Sequence, residues 1–272
     1  MQTPANRSGS IVLARDVDVE IDGVSILHKV GFEMESGGLY GLVGPNGSGK
    51  TTLMRALSGV LPFRGEILLQ GRPIGSWKPR ELAREMAFVR QHIPLSFDFS
   101  VSELVLMGRT PHKGWLAGYD DDDRDRLEEA LRRVDLIGFE ARSVLSLSGG
   151  ELQRVFLAQA LVQEARILLL DEPIAHLDVH YQFGFMELVS ELVQHGHTAL
   201  VVFHDLEMAA RYSDTVLVMA GGRLIAAGAP EDVITSDIIA RVFRMEASIH
   251  PTAEGLHIIY HAPIDRLIPA PQ

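Results

Sequence analysis

The first forty residues carry a β pattern: IVLARDVDVEID alternates apolar and polar positions from Ile11, and Gly23 marks a turn. GLYGLVG, residues 38–44, is a short apolar strand running into a glycine-rich turn. KTTLMRALSGV, residues 50–60, then has helical spacing and is stopped by Ser58, Gly59 and Pro62. GEILLQGRPI reads as strand and turn, and MAFVRQ, residues 86–91, as another apolar strand. Beyond Gln91 the period changes. Ser100 and Glu103 form a capping box ahead of LVLMG, and YDDDDRDRLEEALRRV, residues 119–134, is a helix with an acidic start. From Gln91 to Leu161 there are helical signals and no clear strand, which predicts a helical subdomain inserted in an α/β core. Strand patterns return in RILLLDEP, HTALVVFHD and TVLVMAGGRLIAAG. The unbroken apolar runs 167–170 and 199–203 suit strands buried on both faces, as in a parallel sheet. Two short helical patterns, 230–234 and 237–243, and a hairpin over 246–260 follow.

Composition narrows the class. At 272 residues, 46% hydrophobic and 22% charged, the chain can bury a sizeable core, as one large domain or two small ones. Its net charge of -11 argues against bulk attraction to nucleic acid. The lack of cysteine excludes a disulfide framework and a thiolate metal site. No apolar run approaches the roughly 18 residues of a membrane span, and MQTPANRSGS lacks the apolar core of a secretory signal. The expectation is a cytoplasmic α/β protein that works at a membrane only by docking on another chain.

Two patterns carry chemistry. GPNGSGKT fits G-x-x-x-x-G-K-[ST], with Gly44, Pro45, Asn46, Gly47, Ser48, Gly49, Lys50 and Thr51 in the loop and Thr52 following in the helix. Glycines let the backbone wrap closely round phosphates, and the N–H groups of the loop and first helical turn point at the anion. Lys50 reaches the β- and γ-phosphates, and the Thr51 hydroxyl ligates Mg²⁺. ILLLDE places Asp171 and Glu172 at the end of a buried strand, where parallel sheets bind ligands. Asp171 is suited to hold Mg²⁺ and Glu172 to polarise an attacking water as general base. A further stretch, LSLSGGELQR, opens a helix with Ser148, Gly149, Gly150 and Glu151, more glycine than a serine cap requires.

This set resembles the nucleotide-binding subunit of an ABC transporter. Walker A is residues 44–51, the LSGGE signature 147–151 and Walker B 167–172, while AHLD, 175–178, resembles the D-loop. Gln91 matches the Q-loop and His204, in VVFHD, the switch histidine. Order and rough spacing agree from about residue 11 to 228. The resemblance implies a P-loop NTPase core with a mostly parallel sheet, an antiparallel β subdomain and an inserted helical subdomain. The ATPase domain would span 11–228, its helical subdomain about 91–161, after a disordered tail at 1–10 and before a helical and hairpin extension at 229–272. ATP and Mg²⁺ are the implied substrate and cofactor. Gln91 would sense Mg²⁺ as a ligand and link the site to the helical subdomain. His204 would contact the γ-phosphate and orient the water with Glu172. Asp178 would bridge the two sites of a homodimer. Ser148, Gly149 and Gly150 would meet the γ-phosphate held by a second copy, with Glu151 opening the helix behind them. The sequence departs from the family at two points. Ile21 stands nearest the position of an adenine-stacking aromatic residue, and Ile174 stands where a small residue is common.

SVSELVLMGRTPH, residues 100–112, resembles importers of iron–siderophores, haem and cobalamin, in which this region meets the membrane subunit. RVFRMEASIHP resembles their C-terminal part. The resemblance implies a motor at the cytoplasmic face of the cell membrane, under two polytopic permease subunits and served indirectly by an extracytoplasmic substrate-binding protein. The alternative, a soluble ABC ATPase acting on nucleic acid or ribosomes, calls for coiled coils, paired cassettes or basic surfaces, and none is visible. A P-loop kinase would have no use for LSGGE or His204. The acidic run 120–123 lacks the glycine and distal glutamate of a calcium loop and reads as a solvated helix start. His250, His257 and His261 are assigned no function.

Overall fold

The structure is a computed structural model that describes residues 10–90, 97–114, 117–175 and 177–264. Gln91 and the tail up to residue 9 lie outside the described residues, whereas Ser10 already pairs with Glu35.

Strands β1 (Ser10–Ile21) and β2 (Val24–Glu35) join through Asp22 and Gly23, both at positive φ, the conformation that tight hairpin turns demand. β3 (Leu39–Val43), buried throughout, runs into α1 (Lys50–Leu57). β4 (Arg64–Leu69) and β5 (Arg72–Pro73) precede α2 (Pro79–Glu85), which opens on a proline, and β6 (Met86–Val89). The helical segment holds α3 (Val101–Leu106), a tighter 3₁₀ turn over Met107–His112, α4 (Asp121–Arg133) and α5 (Gly149–Val162). Ser100, Asp120 and Ser148 each close a capping box, with Glu103, Asp123 and Glu151 respectively. Next come β7 (Ile167–Leu170), α6 (Val179–Gln194), β8 (Thr198–Val202), α7 (Leu206–Tyr212), β9 (Thr215–Ala220) and β10 (Arg223–Gly228). The last elements are α8 (Pro230–Val233), α9 (Ser236–Ile238), β11 (Met245–Thr252) and β12 (Gly255–Pro263).

The strands form a four-stranded antiparallel sheet, β2-β1-β4-β5, a six-stranded sheet, β10-β9-β3-β8-β7-β6, and the β11–β12 hairpin. Among the described residues, only the β9–β10 pair of the six-stranded sheet is antiparallel. This is the α/β fold with a mainly parallel sheet, an antiparallel sheet and helical segments expected from the sequence. Its central strands are buried on both faces, and their two-residue period divides them between two cores. Leu168, Leu170, Val201 and Val218 face a core shared with the helical segment, α6 and α7, while Ile167, Leu169, Val202 and Met219 face α1 and the antiparallel sheet. Among the described residues, no helix is long and apolar enough to cross a membrane.

The acidic run differs from its expected solvated state. Asp123 is fully buried and accepts from Arg109 Nε at 2.9 Å and from Lys113, while Arg109 Nη1 donates to the Val162 carbonyl at 2.8 Å. Burial opposes ionisation of Asp123, yet the hydrogen bonds from Lys113 and Arg109 hold its carboxyl far below the usual range. Asp123 caps α4 and at the same time ties it to the 3₁₀ turn, because position N3 of this helix faces inward.

Candidate functional site

Three neighbouring strands of the six-stranded sheet, β3, β8 and β7, deliver the chemistry. Their carboxyl ends run into the glycine-rich loop, His204 and the Asp171–Glu172 pair, side by side in that order. Adjacent strands lie about 4.8 Å apart, and ligands of parallel sheets bind beyond these ends.

The loop's shape depends on glycine at two places. Gly44 has φ 154°, and a Cβ there would lie 2.2 Å from the Met219 carbonyl oxygen. Gly49 caps α1 at φ 99°, and its Cβ would lie 2.6 Å from Leu27 Cδ2. Between them Asn46 and Gly47 are exposed, Pro45 is half-buried and Ser48 is buried, its N–H donating to the Pro45 carbonyl at 3.2 Å. Lys50 is buried, with Nζ donating to the carbonyls of Gly44 (2.8 Å) and Pro45 (3.1 Å). Desolvation lowers its pKa, against the pull of Glu172 and Asp171. A buried ammonium resting on neutral carbonyls is a site for an anion.

One residue further into α1, Thr51 Oγ1 donates to Asp171 Oδ1 at 3.3 Å, with Thr52 half-buried beside it. Asp171 is buried, and its N–H donates to the Val89 carbonyl at 2.9 Å. Burial raises its pKa, the Thr51 hydrogen bond opposes this, and the Glu172 charge adds to it. The hydroxyl and carboxylate form a hard oxygen pair, the donor type that suits Mg²⁺. Gln91, the third expected ligand, lies outside the described residues.

Glu172 has φ 53°, a left-handed conformation that glutamate seldom adopts. In it, Glu172 Oε2 lies 2.6 Å from His204 Nε2. The Glu172 side chain is 13% exposed and that of His204 48%, so the carboxylate is sheltered and the imidazole faces outward. Lys50, Thr51, Asp171, Glu172 and His204 are thus brought together in one chain.

The signature stretch is placed elsewhere, at the start of α5. The Ser148 N–H donates to Glu151 Oε2 at 2.7 Å, its hydroxyl donates to the same oxygen at 2.7 Å, and it accepts from the Glu151 N–H at 3.3 Å. These bonds stay within the helix's own first turn and leave Ser148 and Gly149 exposed. Gly150 is buried because α6 lies against it: a Cβ would sit 3.3 Å from the Tyr181 ring, and one on Gly149 3.6 Å from Leu177 Cδ2. Leu177 and Tyr181 flank Asp178, which is exposed at the N-cap of α6 and makes no side-chain cap bond. The Ser148–Gly150 turn and the start of α6 are therefore packed together, through Leu177 inside the AHLD stretch and Tyr181 beyond it. The crowding at Gly150 explains the second glycine of the stretch.

The remaining positions are simpler. Ile21 ends β1, half-buried against the core under α1, and Ile174 is buried. Among the described residues, Asp120, Asp122 and Asp123 alone bring three candidate ligand atoms together, and Lys113, Arg109 and Arg126 already neutralise them. His257 is bonded to Glu207 and His261 to Ser248.

A family profile described as ABC transporter matches residues 27–175. The chain is 43% identical over 235 residues to a cobalamin import ATP-binding protein of Halobacterium salinarum, covering 86% of this chain but only 58% of that relative's length. It is 40% identical over 252 residues to a hemin import ATP-binding protein of Mesorhizobium japonicum, covering 89% of this chain and 95% of the relative. In fold it is similar to a metal-chelate type ABC transporter solved in an inward-facing conformation, with TM-score 0.81, 23% identity, 95% of this chain and 99% of the other covered.

Proposed function

The chain belongs to the ABC transporter family, and from that premise we propose that it is the ATP-hydrolysing subunit of an importer for metal chelates of the haem, cobalamin or siderophore type. The hemin and cobalamin import proteins it matches support the chelate class, and the match to the hemin relative over 95% of its length supports the importer reading. One observation carries the chemistry: Lys50, the Thr51–Asp171 pair and the Glu172–His204 pair meet at the ends of three adjacent strands.

In this reading residues 44–52 wrap the phosphates of ATP, and Lys50 exchanges the Gly44 and Pro45 carbonyls for β- and γ-phosphate oxygens. Thr51 and Asp171, joined by Gln91 from the family pattern, would hold Mg²⁺, which when bound offsets charge on the phosphates. Glu172 takes a proton from the water that attacks the γ-phosphorus as the bond to the ADP oxygen breaks. His204, already in contact with Glu172, orients that water. Ser148, Gly149 and Gly150 reach the γ-phosphate on a second copy, with Asp178 between the two sites of the homodimer. A cleft of about 790 Å³ lined by Leu61, Phe63, Trp77, Leu82, Met86 and Phe88 lies beside β6, the strand that leads to Gln91. We assign it, with the 3₁₀ turn and α3, to the contact with two permease subunits at the cytoplasmic face of the membrane.

The decisive test is Glu172→Gln, which removes the base and keeps the side-chain size. Turnover should fall by about 10²–10⁴-fold, while ATP-bound dimers accumulate in gel filtration. Normal turnover would overturn the assignment of Glu172.

A further inference from the structure

The C-terminal hairpin lies along the helix that carries the switch histidine. α7 begins two residues after His204, where Asp205 Oδ1 accepts from the N–H groups of Glu207 (2.7 Å) and Met208 (3.2 Å). β12 runs beside α7 from its last turn to its first. At the last turn Gly255 has φ 131°, and a Cβ there would come within 3.3 Å of Arg211 Cα, so only glycine seats the hairpin this closely. In the first turn Glu207 Oε1 accepts twice from β12, from His257 Nδ1 at 3.0 Å and from the Ile258 N–H at 2.7 Å. Ile258 is buried in the same core as Leu206, Met208 and Ala209. At the cap, burial and the charges of Asp205 and Glu207 push the Tyr260 phenol up. At its last residue α7 is also held by Tyr212, whose hydroxyl donates to Glu187 of α6 at 2.8 Å.

His204 has little packing of its own. Its side chain is about half exposed, and its Nε2 contacts Glu172 Oε2. Its reach is therefore set by its backbone, held on one side where the Phe203 N–H donates to the Leu42 carbonyl (3.0 Å) and on the other by α7. We propose that β12 is a splint fixing the reach of His204, with Glu207 as its positioning residue: one carboxylate oxygen joins the first turn of α7 to two consecutive residues of the hairpin. The inference rests on the role of His204 given under the proposed function. It gives the C-terminal extension a part in hydrolysis.

The experiment compares Glu207→Ala, Glu207→Gln, His257→Ala and His204→Ala in the full chain, measuring kcat and KM for ATP with a melting curve for each. A displacement of about 1 Å in a reacting group costs up to about 10²-fold. Glu207→Ala should therefore lower kcat by about tenfold and leave KM within about twofold, because the Lys50 loop is untouched. Glu207→Gln keeps an acceptor oxygen and should restore kcat to within about twofold of the native value. His257→Ala removes one exposed donor, leaves the fold intact and should give a smaller loss in kcat alone. If His204→Ala abolishes turnover while Glu207→Ala and His257→Ala keep native kcat, the splint is wrong and the proposed function stands. Equal losses in Glu207→Ala and Glu207→Gln would also overturn it. If His204→Ala itself turns over normally, the role of the histidine fails first.

Discussion

Lys50 shows how a single residue is prepared for its ligand. Its ammonium is out of water, its pKa is lowered by that burial, and its hydrogen bonds go to two carbonyls of its own loop. Phosphate oxygens are better partners for such a charge than neutral carbonyls, so binding replaces weak contacts with charge-assisted ones. Lys50→Ala should weaken nucleotide binding by about 10–100-fold, the range expected of a hydrogen bond to a charged group, in a titration with a fluorescent ATP analogue. Unchanged affinity would count against the phosphate-loop assignment. The loop was legible in the sequence because its glycines are dictated locally: Gly44 and Gly49 each occupy a backbone conformation and a contact that exclude a side chain. The left-handed backbone of Glu172 and its 2.6 Å pairing with His204 were not, because they depend on two strands meeting across the sheet. Gly150 lies between these cases. Its presence in the sequence raised the question, and Tyr181, thirty-one residues on, answers it.

At the scale of elements, α3, α4 and α5 announce themselves through capping boxes and helical spacing, since both signals are confined to a few neighbouring residues. The pattern gave no expectation for α2, α6 or α7. None of α2 is buried, so it has no apolar stripe, and α7 is only seven residues long. α6 does bury Phe185, Met186, Val189 and Leu192 at helical spacing, but exposed Val179 and Tyr181 blur its polar face. The acidic start of α4 looks solvated in sequence because its four aspartates are alike, whereas only Asp123 is buried, against Arg109. Asp123→Ala takes one of two carboxylates from the buried Arg109 guanidinium, which keeps Glu164 Oε2 at 2.6 Å, and should destabilise the fold by about 2 kcal/mol in urea unfolding. Asp121→Ala, at a side chain 95% exposed, should change stability by less than about 0.5 kcal/mol. The sign with pH follows. The folded pKa of Asp123 is depressed, so its contribution is fully present above the unfolded value of about 3.9 and is lost as pH falls toward the folded value. Native protein should lose stability steeply below about pH 4, and Asp123→Ala should show a shallower loss.

At the scale of the whole molecule, the two cores divide the proposed site. The phosphate loop, Asp171, Glu172 and His204 crown the sheet, while Ser148 and Gly149 are exposed at the start of α5, their turn already bonded within itself. Asp178 lies exposed beside that turn. In the proposed function this capped helix start is half of a binding site, and a two-fold axis would supply the other half twice. This yields a prediction that no single-chain site shares. Ser148→Arg should bind ATP through its intact Lys50 yet fail to dimerise with it, and Lys50→Ala should fail to bind. Mixed in equal amounts, about half of the possible pairs combine one chain of each kind, and each such pair holds one native site, Lys50 from one chain facing Ser148 from the other. The mixture should therefore form ATP-dependent dimers and hydrolyse ATP several-fold faster than either variant alone. A mixture no better than the mean of its parts would mean that Ser148 does not act across the dimer.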